Sequence, residues 1–345
     1  MLGLIGMALR AAAALAASGG AFLATSVPVL TANRDLFGLI CAAYLWWAVV
    51  PPAVGVVLLA WAARRTRGVA RGLTVGASVV MVSLAPLCAY ASWIAPYQLR
   101  VERTNVPMPA LAPLGRPLIV VVLADIQTDR IRAYDRDVIA RALAEQPDLI
   151  LLAGDFFQGT PAEFAAQRDA YAELLRQLHA PLGVFACVGN IDGTDNTLRL
   201  LEDAGVQLLR DEVVTLDAGT VRLALGGLDF YSSPSAKTQT ADALAATPAD
   251  VHLLLTHTPD DVRAARPGAL DLIVCGHTHG GQVVVPGFGP VLTFAHVPRE
   301  VAAGGLHDFD GRRVYLSRGV GCERGHAPPV RLFSPPELTV LTLAP

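Results

Sequence analysis

The sequence predicts an α/β domain, a mixed sheet system covered by helices, preceded by an N-terminal transmembrane helical region. Three observations carry this. Met1 to Tyr97 holds long apolar stretches and a single acidic residue, Asp35. Beyond Pro117, short apolar runs alternate with segments of helical period, the pattern of strands covered by helices. Polar residues of metal-ligating type follow those runs directly. Composition agrees, because 53% of the 345 residues are hydrophobic, only 17% are charged, and the mean hydropathy is +0.45, too apolar for a wholly soluble chain. A net charge of -3 leaves no basic excess to neutralise a phosphate backbone, so no nucleic-acid partner is expected.

In the N-terminal part, three apolar stretches cover residues 11–30, 36–63 and 73–94. Each can cross the roughly 30 Å of hydrocarbon that needs about 20 helical residues. About three transmembrane helices are therefore expected over residues 1–97, with Pro51 and Pro52 a possible kink in the second. A secretory signal peptide competes for the first stretch, but two further apolar runs argue against simple secretion. Arg64, Arg65, Arg67 and Arg71 lie between the second and third stretches and should stay cytoplasmic. Three spans then give a multi-pass protein of the cell membrane whose C-terminal domain is extracytoplasmic. Pro107, Pro109, Pro113 and Pro117 mark residues 98–117 as an extended linker into a domain over residues 118–345.

Within that domain, residues 118–124 form a continuous apolar run, as in a strand buried on both faces. A helix is expected over 135–146, stopped by Pro147, then a strand over 149–153. The alternation continues with a helix over 162–178, a strand over 184–188, a short helix over 198–204, and strands over 221–228, 251–256 and 270–275. Residues 283–285, 314–317 and 338–343 add a strand-rich end. The five cysteines include no CxxC pair and suggest neither a disulfide framework nor structural zinc, so Cys187 and Cys275 are expected as small core residues.

The chemistry sits at the strand ends. In order these read Ala124-Asp125-Ile126-Gln127, Gly154-Asp155-Phe156-Phe157-Gln158, Gly189-Asn190-Ile191-Asp192, Thr256-His257-Thr258-Pro259, and Gly276-His277-Thr278-His279-Gly280-Gly281-Gln282. Taken singly each is weak: an Asp after a strand is an ordinary helix cap, and Gly-Asn an ordinary turn. Five in order, each after an apolar run, would converge on one crevice at the carboxyl ends of the strands. Their mixture of oxygen and imidazole donors suits Mn, Fe or Zn better than Mg or Ca.

This ordered set resembles the calcineurin-like metallophosphoesterase family, whose pattern is DxH, GDxxD, GNH(D/E), a later lone His, and GHxH. It is most similar to the bacterial membrane-linked branch with a GHTHGGQ block and a C-terminal Ser-Arg-Gly, here Ser317-Arg318-Gly319. The resemblance implies a four-layer αββα sandwich around two divalent metal ions. Asp125, Gln127, Asp155 and His279 would hold the first ion, and Asp155, Asn190, His257 and His277 the second. It also implies hydrolysis of a phosphoester or pyrophosphate bond by a metal-activated water. Asn190 and Arg324 are candidate phosphate contacts, with Arg318 and His326 in the same Gly-rich stretch.

Three departures stand out. Gln127 replaces the His of the first motif, Gln158 the last Asp of the second, and Ile191 the His of the third. In the family that last His is the general acid and the Asp its partner, so Gln158 and Ile191 remove donor and orienter together. The catalytic acid is thus unassigned. The expected activity is hydrolysis of a phosphorylated small molecule or lipid with a good leaving group, such as a pyrophosphate, close to the membrane. The alternative is a non-catalytic metal-dependent binding or sensing domain on a membrane anchor.

Overall fold

The computed structural model describes residues 36–193, 195–324 and 329–345, and the first predicted span, residues 11–30, lies outside them. The chain forms two compact units. Among the described residues, the helical unit reaches Ala95 and takes in Glu323, Arg324 and Pro329. It contains α1 (Leu36–Arg65) and α2 (Gly68–Trp93), both long and apolar enough to cross a membrane. Helix α1 runs through Pro51 and Pro52 as one element. The two helices pack so closely that a Cβ on Gly55 would lie 2.9 Å from the Ser78 carbonyl oxygen, the small-residue contact typical of helices in lipid. Val49, Val56 and Val57 on α1 and Val69, Val79 and Val80 on α2 stay exposed, an arrangement that hydrocarbon favours and water does not.

The second unit, Pro96–Cys322 with Val330–Pro345, is the α/β domain. It begins with β1 (Arg100–Pro107), a 3₁₀ helix (Pro109–Leu114), β2 (Leu118–Leu123), α3 (Ala133–Ala144) and β3 (Leu149–Leu152). Next come α4 (Pro161–Leu175), β4 (Val184–Ala186), α5 (Asp195–Asp203), β5 (Gln207–Leu208), β6 (Glu212–Ala218) and β7 (Val221–Gly227). The chain continues through α6 (Pro234–Ala246), β8 (Val251–Leu255), β9 (Leu272–Cys275), β10 (Val284–Val285), β11 (Gly289–Pro290) and α7 (Arg299–Ala302). It ends with β12 (Gly305–Phe309), β13 (Arg312–Leu316) and β14 (Glu337–Ala344).

Two six-stranded sheets result, ordered β1-β14-β2-β3-β4-β5 and β12-β13-β9-β8-β7-β6. The centres are parallel, β2 with β3 and β4, and β7 with β8 and β9, while β14 joins β2 antiparallel. The period of two along each strand splits its residues between layers. In β2, Val120 and Val122 enter the core between the sheets with Leu223, Leu253 and Val274, whereas Val121 and Leu123 face outward onto Val138, Ile139 and Leu175 of the helices. A third cluster packs Leu244 and Val301 on the outer face of the second sheet. The predicted αββα layering is the observed one.

Caps explain where helices begin. Thr160 accepts the Glu163 N–H while Glu163 Oε2 accepts the Thr160 N–H at 2.7 Å, and Pro161 takes the first turn, where its missing N–H costs nothing. Ser233 accepts the Ala236 N–H and Pro234 takes the first turn of α6, without a returning carboxylate; that helix, with β5, β6 and β12, was not anticipated from the sequence.

The predicted linker over residues 98–117 requires correction. Residues 100–107 are strand β1, parallel to β14 in the register Arg100↔Glu337 to Pro107↔Ala344. The strand escaped notice because it is polar and lies at a sheet edge, where one face stays wet and a terminal Pro107 loses no ladder bond. Val106, Met108 and Leu111 are fully buried, so the Pro-rich stretch is part of the core.

Candidate metal centre

All five predicted motifs lie in loops leaving the carboxyl ends of β2, β3, β4, β8 and β9. These loops are tightly bent. Asp125, Gln127, Asp155, His277 and His279 all take positive φ, between 38° and 76°, a conformation that costs a non-glycine residue about 1–3 kcal/mol and persists only where the surroundings enforce it. Gly154 and Gly189 allow the loops to touch. A Cβ on Gly154 would lie 2.7 Å from His257 Nδ1 and 2.8 Å from Gly189 Cα, and one on Gly189 would collide with Asp155 Oδ1.

The predicted residues come together. Asp125, Asp155 and His257 are buried and present ligand atoms within 4.8 Å of one another, a group that could hold a metal ion. Gln127 donates from Nε2 to Asp155 Oδ2 at 3.1 Å. Asn190 Oδ1 lies 2.8 Å from His257 Nε2 and 2.9 Å from His277 Nδ1, and the two imidazole nitrogens are 3.1 Å apart. His279 Nε2 is 3.8 Å from Asp125 Oδ1, and the His277 N–H donates to both Asp125 oxygens at 3.1 and 3.0 Å.

The donor chemistry of this cluster fits a cation. His257 Nδ1 lies 2.8 Å from the Ala153 carbonyl, which can only accept, so Nδ1 carries a proton. In the neutral ring Nε2 is then a lone pair facing Asn190 Oδ1 and Asp155 Oδ2, the latter at 3.4 Å. Acceptors facing acceptors need a proton or a metal ion between them. The charges follow the same logic. Burial opposes protonation of His257, but the Asp155 carboxylate outweighs it and raises the imidazole. Burial would raise Asp155, yet His257 holds its carboxyl below the usual range. Burial and then the His257 charge lower His277 to about 4, and burial and then the Arg331 guanidinium keep His279 neutral. Burial raises Asp125, and the Asp155 charge adds to it.

Other residues gain their roles only in three dimensions. Asp192, buried, accepts from the N–H groups of Asp155, Gly189 and Phe156 at 2.7, 2.8 and 2.9 Å, and so clamps two ligand loops together. Phe230 packs against the rings of His257 and His277, with centroids 6.0 and 6.4 Å away, and the Tyr231 hydroxyl donates to the Asn190 carbonyl at 2.6 Å. Both follow the end of β7, so the strand-end signal that found the five motifs extends to Asp229-Phe230-Tyr231. The candidate phosphate contacts fare differently. Asn190 is central, with its amide oxygen turned to the imidazoles. Arg318 is engaged by Glu102 at 2.7 Å and Glu337 at 2.9 Å. Arg324 groups with the helical unit, and His326 lies outside the described residues.

Comparison with known proteins agrees with this arrangement. A family model described as calcineurin-like phosphoesterase matches residues 118–281. Phosphodiesterase YaeI of Escherichia coli is 32% identical over 235 residues, 66% of this chain and 82% of that protein. The chain belongs to the calcineurin-like phosphoesterase family. It is accordingly a hydrolase. The uncharacterized metallophosphoesterase YkuE of Bacillus subtilis is 30% identical over 60% of this chain and 72% of its own length. UDP-2,3-diacylglucosamine pyrophosphatase LpxG of Chlamydia trachomatis is 23% identical over 78% and 97% respectively. Against the family pattern, Ile191 offers only its backbone N–H, which donates to Asp155 Oδ1 at 3.0 Å, and the Gln158 N–H donates to the Thr128 carbonyl at 3.0 Å.

Proposed function

We propose that this calcineurin-like phosphoesterase is a membrane-anchored enzyme that hydrolyses a lipid-linked phosphoester or pyrophosphate with the help of two divalent metal ions. Asp125, Gln127, Asp155 and His279 would hold one ion, and Asp155, Asn190, His257 and His277 the other, with Mn, Fe or Zn suited to this mixed donor set. The observation that carries this is the convergence of His257 Nε2, Asn190 Oδ1, His277 Nδ1 and Asp155 Oδ2, four atoms of metal-ligating type gathered around one point. When bound, the ions supply Lewis-acid polarisation of phosphoryl oxygens and a water made nucleophilic at neutral pH.

The chain's own residues set the rest. Asp192 and Gly189 fix the Asp155 and Asn190 loops, and Phe230 packs against the two imidazoles. Ile191 carries no transferable proton. A general acid is worth about 10²–10⁴-fold and matters most for a basic leaving oxygen, so a leaving group stable as an anion is favoured, such as the phosphate of a pyrophosphate or an aryl oxide. Two apolar helices support anchoring; the relative LpxG is named for a lipid pyrophosphate that also carries a nucleotide, and only the lipid and pyrophosphate parts of that name agree with an extracytoplasmic domain. Three spans with Arg64, Arg65, Arg67 and Arg71 inside would place the domain on the extracytoplasmic side, where a lipid-linked substrate is at hand and a cytoplasmic nucleotide is not.

The test is hydrolysis of bis(p-nitrophenyl) phosphate and p-nitrophenyl phosphate by the full chain in detergent with Mn²⁺, beside Asp155→Asn, with metal content measured on both. Turnover that requires Mn²⁺ and vanishes in D155N is expected. A folded, metal-loaded and inactive protein would favour the non-catalytic binding domain, and a folded protein that takes up no metal would sink the two-ion centre.

A further inference from the structure

Arg331 is the largest fully buried side chain in the described residues, and it lies beyond the stretch matched by the family model. Every oxygen it bonds is a backbone carbonyl. Nη1 donates to His279 at 3.1 Å and Ser334 at 3.3 Å, Nε to Gly321 at 3.1 Å, and Nη2 to Arg318 at 2.8 Å, Gly319 at 3.1 Å and Gly321. A guanidinium buried this completely is retained only where its fixed fork of donors achieves something a neutral side chain cannot.

What it joins is specific. The His279 carbonyl belongs to the loop that presents His277 and His279, and Ser334 Oγ reinforces it at 3.0 Å. The carbonyls of Arg318, Gly319 and Gly321 belong to the turn after β13, which grips the Asp125 loop in return. There the Val320 N–H donates to the Ala124 carbonyl at 3.0 Å and the Gly321 N–H to the Asp125 carbonyl at 2.8 Å. One planar cation therefore ties the backbone beneath Asp125 to the backbone beneath His279, two residues held at positive φ.

We propose that Arg331 is a positioning residue that sets the separation between Asp125 and His279 and thereby the affinity of the first metal ion. This rests on the two-ion reading above. A lysine keeps the charge but offers one ammonium in place of a five-donor fork, so it cannot bridge both loops.

The test is Mn²⁺ titration of the full chain in detergent, followed by metal content and electron paramagnetic resonance, for wild type, Arg331→Met, Arg331→Lys and Leu225→Ala. The last removes core volume between the sheets from β7, a strand that carries neither loop. Wild type and L225A should bind two ions and show a spin-coupled pair. Both Arg331 variants should lose about 10–100-fold in affinity for one ion, as other groups that orient metal ligands do, and show a mononuclear spectrum. A folded R331M or R331K with wild-type affinity for both ions would overturn the proposal. Failure of both Arg331 variants to fold while L225A folds would overturn it too, in favour of a purely structural role. Wild type that binds fewer than two ions would remove the two-ion reading, and the proposal with it, without bearing on the Arg331 variants.

Discussion

Replacing Asp192 by alanine should unfasten the centre without removing any proposed ligand. Its carboxylate accepts three buried backbone N–H groups, from Asp155, Gly189 and Phe156. Each donor left unsatisfied costs about 1–3 kcal/mol, and neighbours in one network do not add fully, so D192A should cost about 3–6 kcal/mol. Asparagine keeps one acceptor oxygen for two of the three donors and turns an N–H towards the third. Burial and the nearby Asp155 charge both disfavour the Asp192 carboxylate, and the neutral amide relieves this in part. D192N should therefore cost less, about 1–3 kcal/mol. At about 2–4 °C per kcal/mol for a domain of this size, calorimetry of the metal-free full chain in detergent should show D192A melting about 6–24 °C below wild type, with D192N between. Mn²⁺-dependent turnover should fall in the same order. A D192A protein that melts with wild type, or one less destabilised than D192N, would refute the clamp.

Two further outcomes are expected. Burial would raise Asp148, but bonds from Arg116 at 2.8 and 2.9 Å and from the Ile119 N–H at 2.8 Å hold its carboxyl below the usual range. A depressed folded pKa contributes stability above the unfolded value and loses it as pH falls through the folded one. The melting-temperature gap between wild type and Asp148→Asn should thus be widest near neutrality and close on acidification below about pH 4; a gap that widens in acid would contradict the assignment. Restoring donor and orienter together, Ile191→His with Gln158→Asp, should speed hydrolysis of an alkyl phosphodiester at least about tenfold and an aryl diester much less, and equal gains on both would exclude proton delivery as the missing function.

Much of the site was legible in the sequence because its signals are local. An apolar run followed by Asp, Asn or His says both that a strand ends and that a ligand-type side chain sits at its carboxyl end, and Asp125, Asp155, Asn190, His257, His277 and His279 were all found in this way. The long apolar helices α1 and α2 were equally readable, since hydropathy needs no tertiary context. The edge strands β1, β6 and β12 were not legible. A half-wet strand has no continuous apolar run, and β1 pairs with β14 more than 200 residues away in sequence, a distance over which no periodicity reports.

The sequence by itself determined the alternation of strands and helices and the ligand-type side chains at the strand ends, while the αββα layer order and the reading of Ile191 as the acid position came from the family resemblance. Only the tertiary structure decided what holds those side chains in place. Asp192, Tyr231 and Arg331 act through backbone groups of other loops, and backbone donors and carbonyls are the same for every residue type. Which of them a side chain meets depends on how the chain returns on itself, and that is absent from any local pattern.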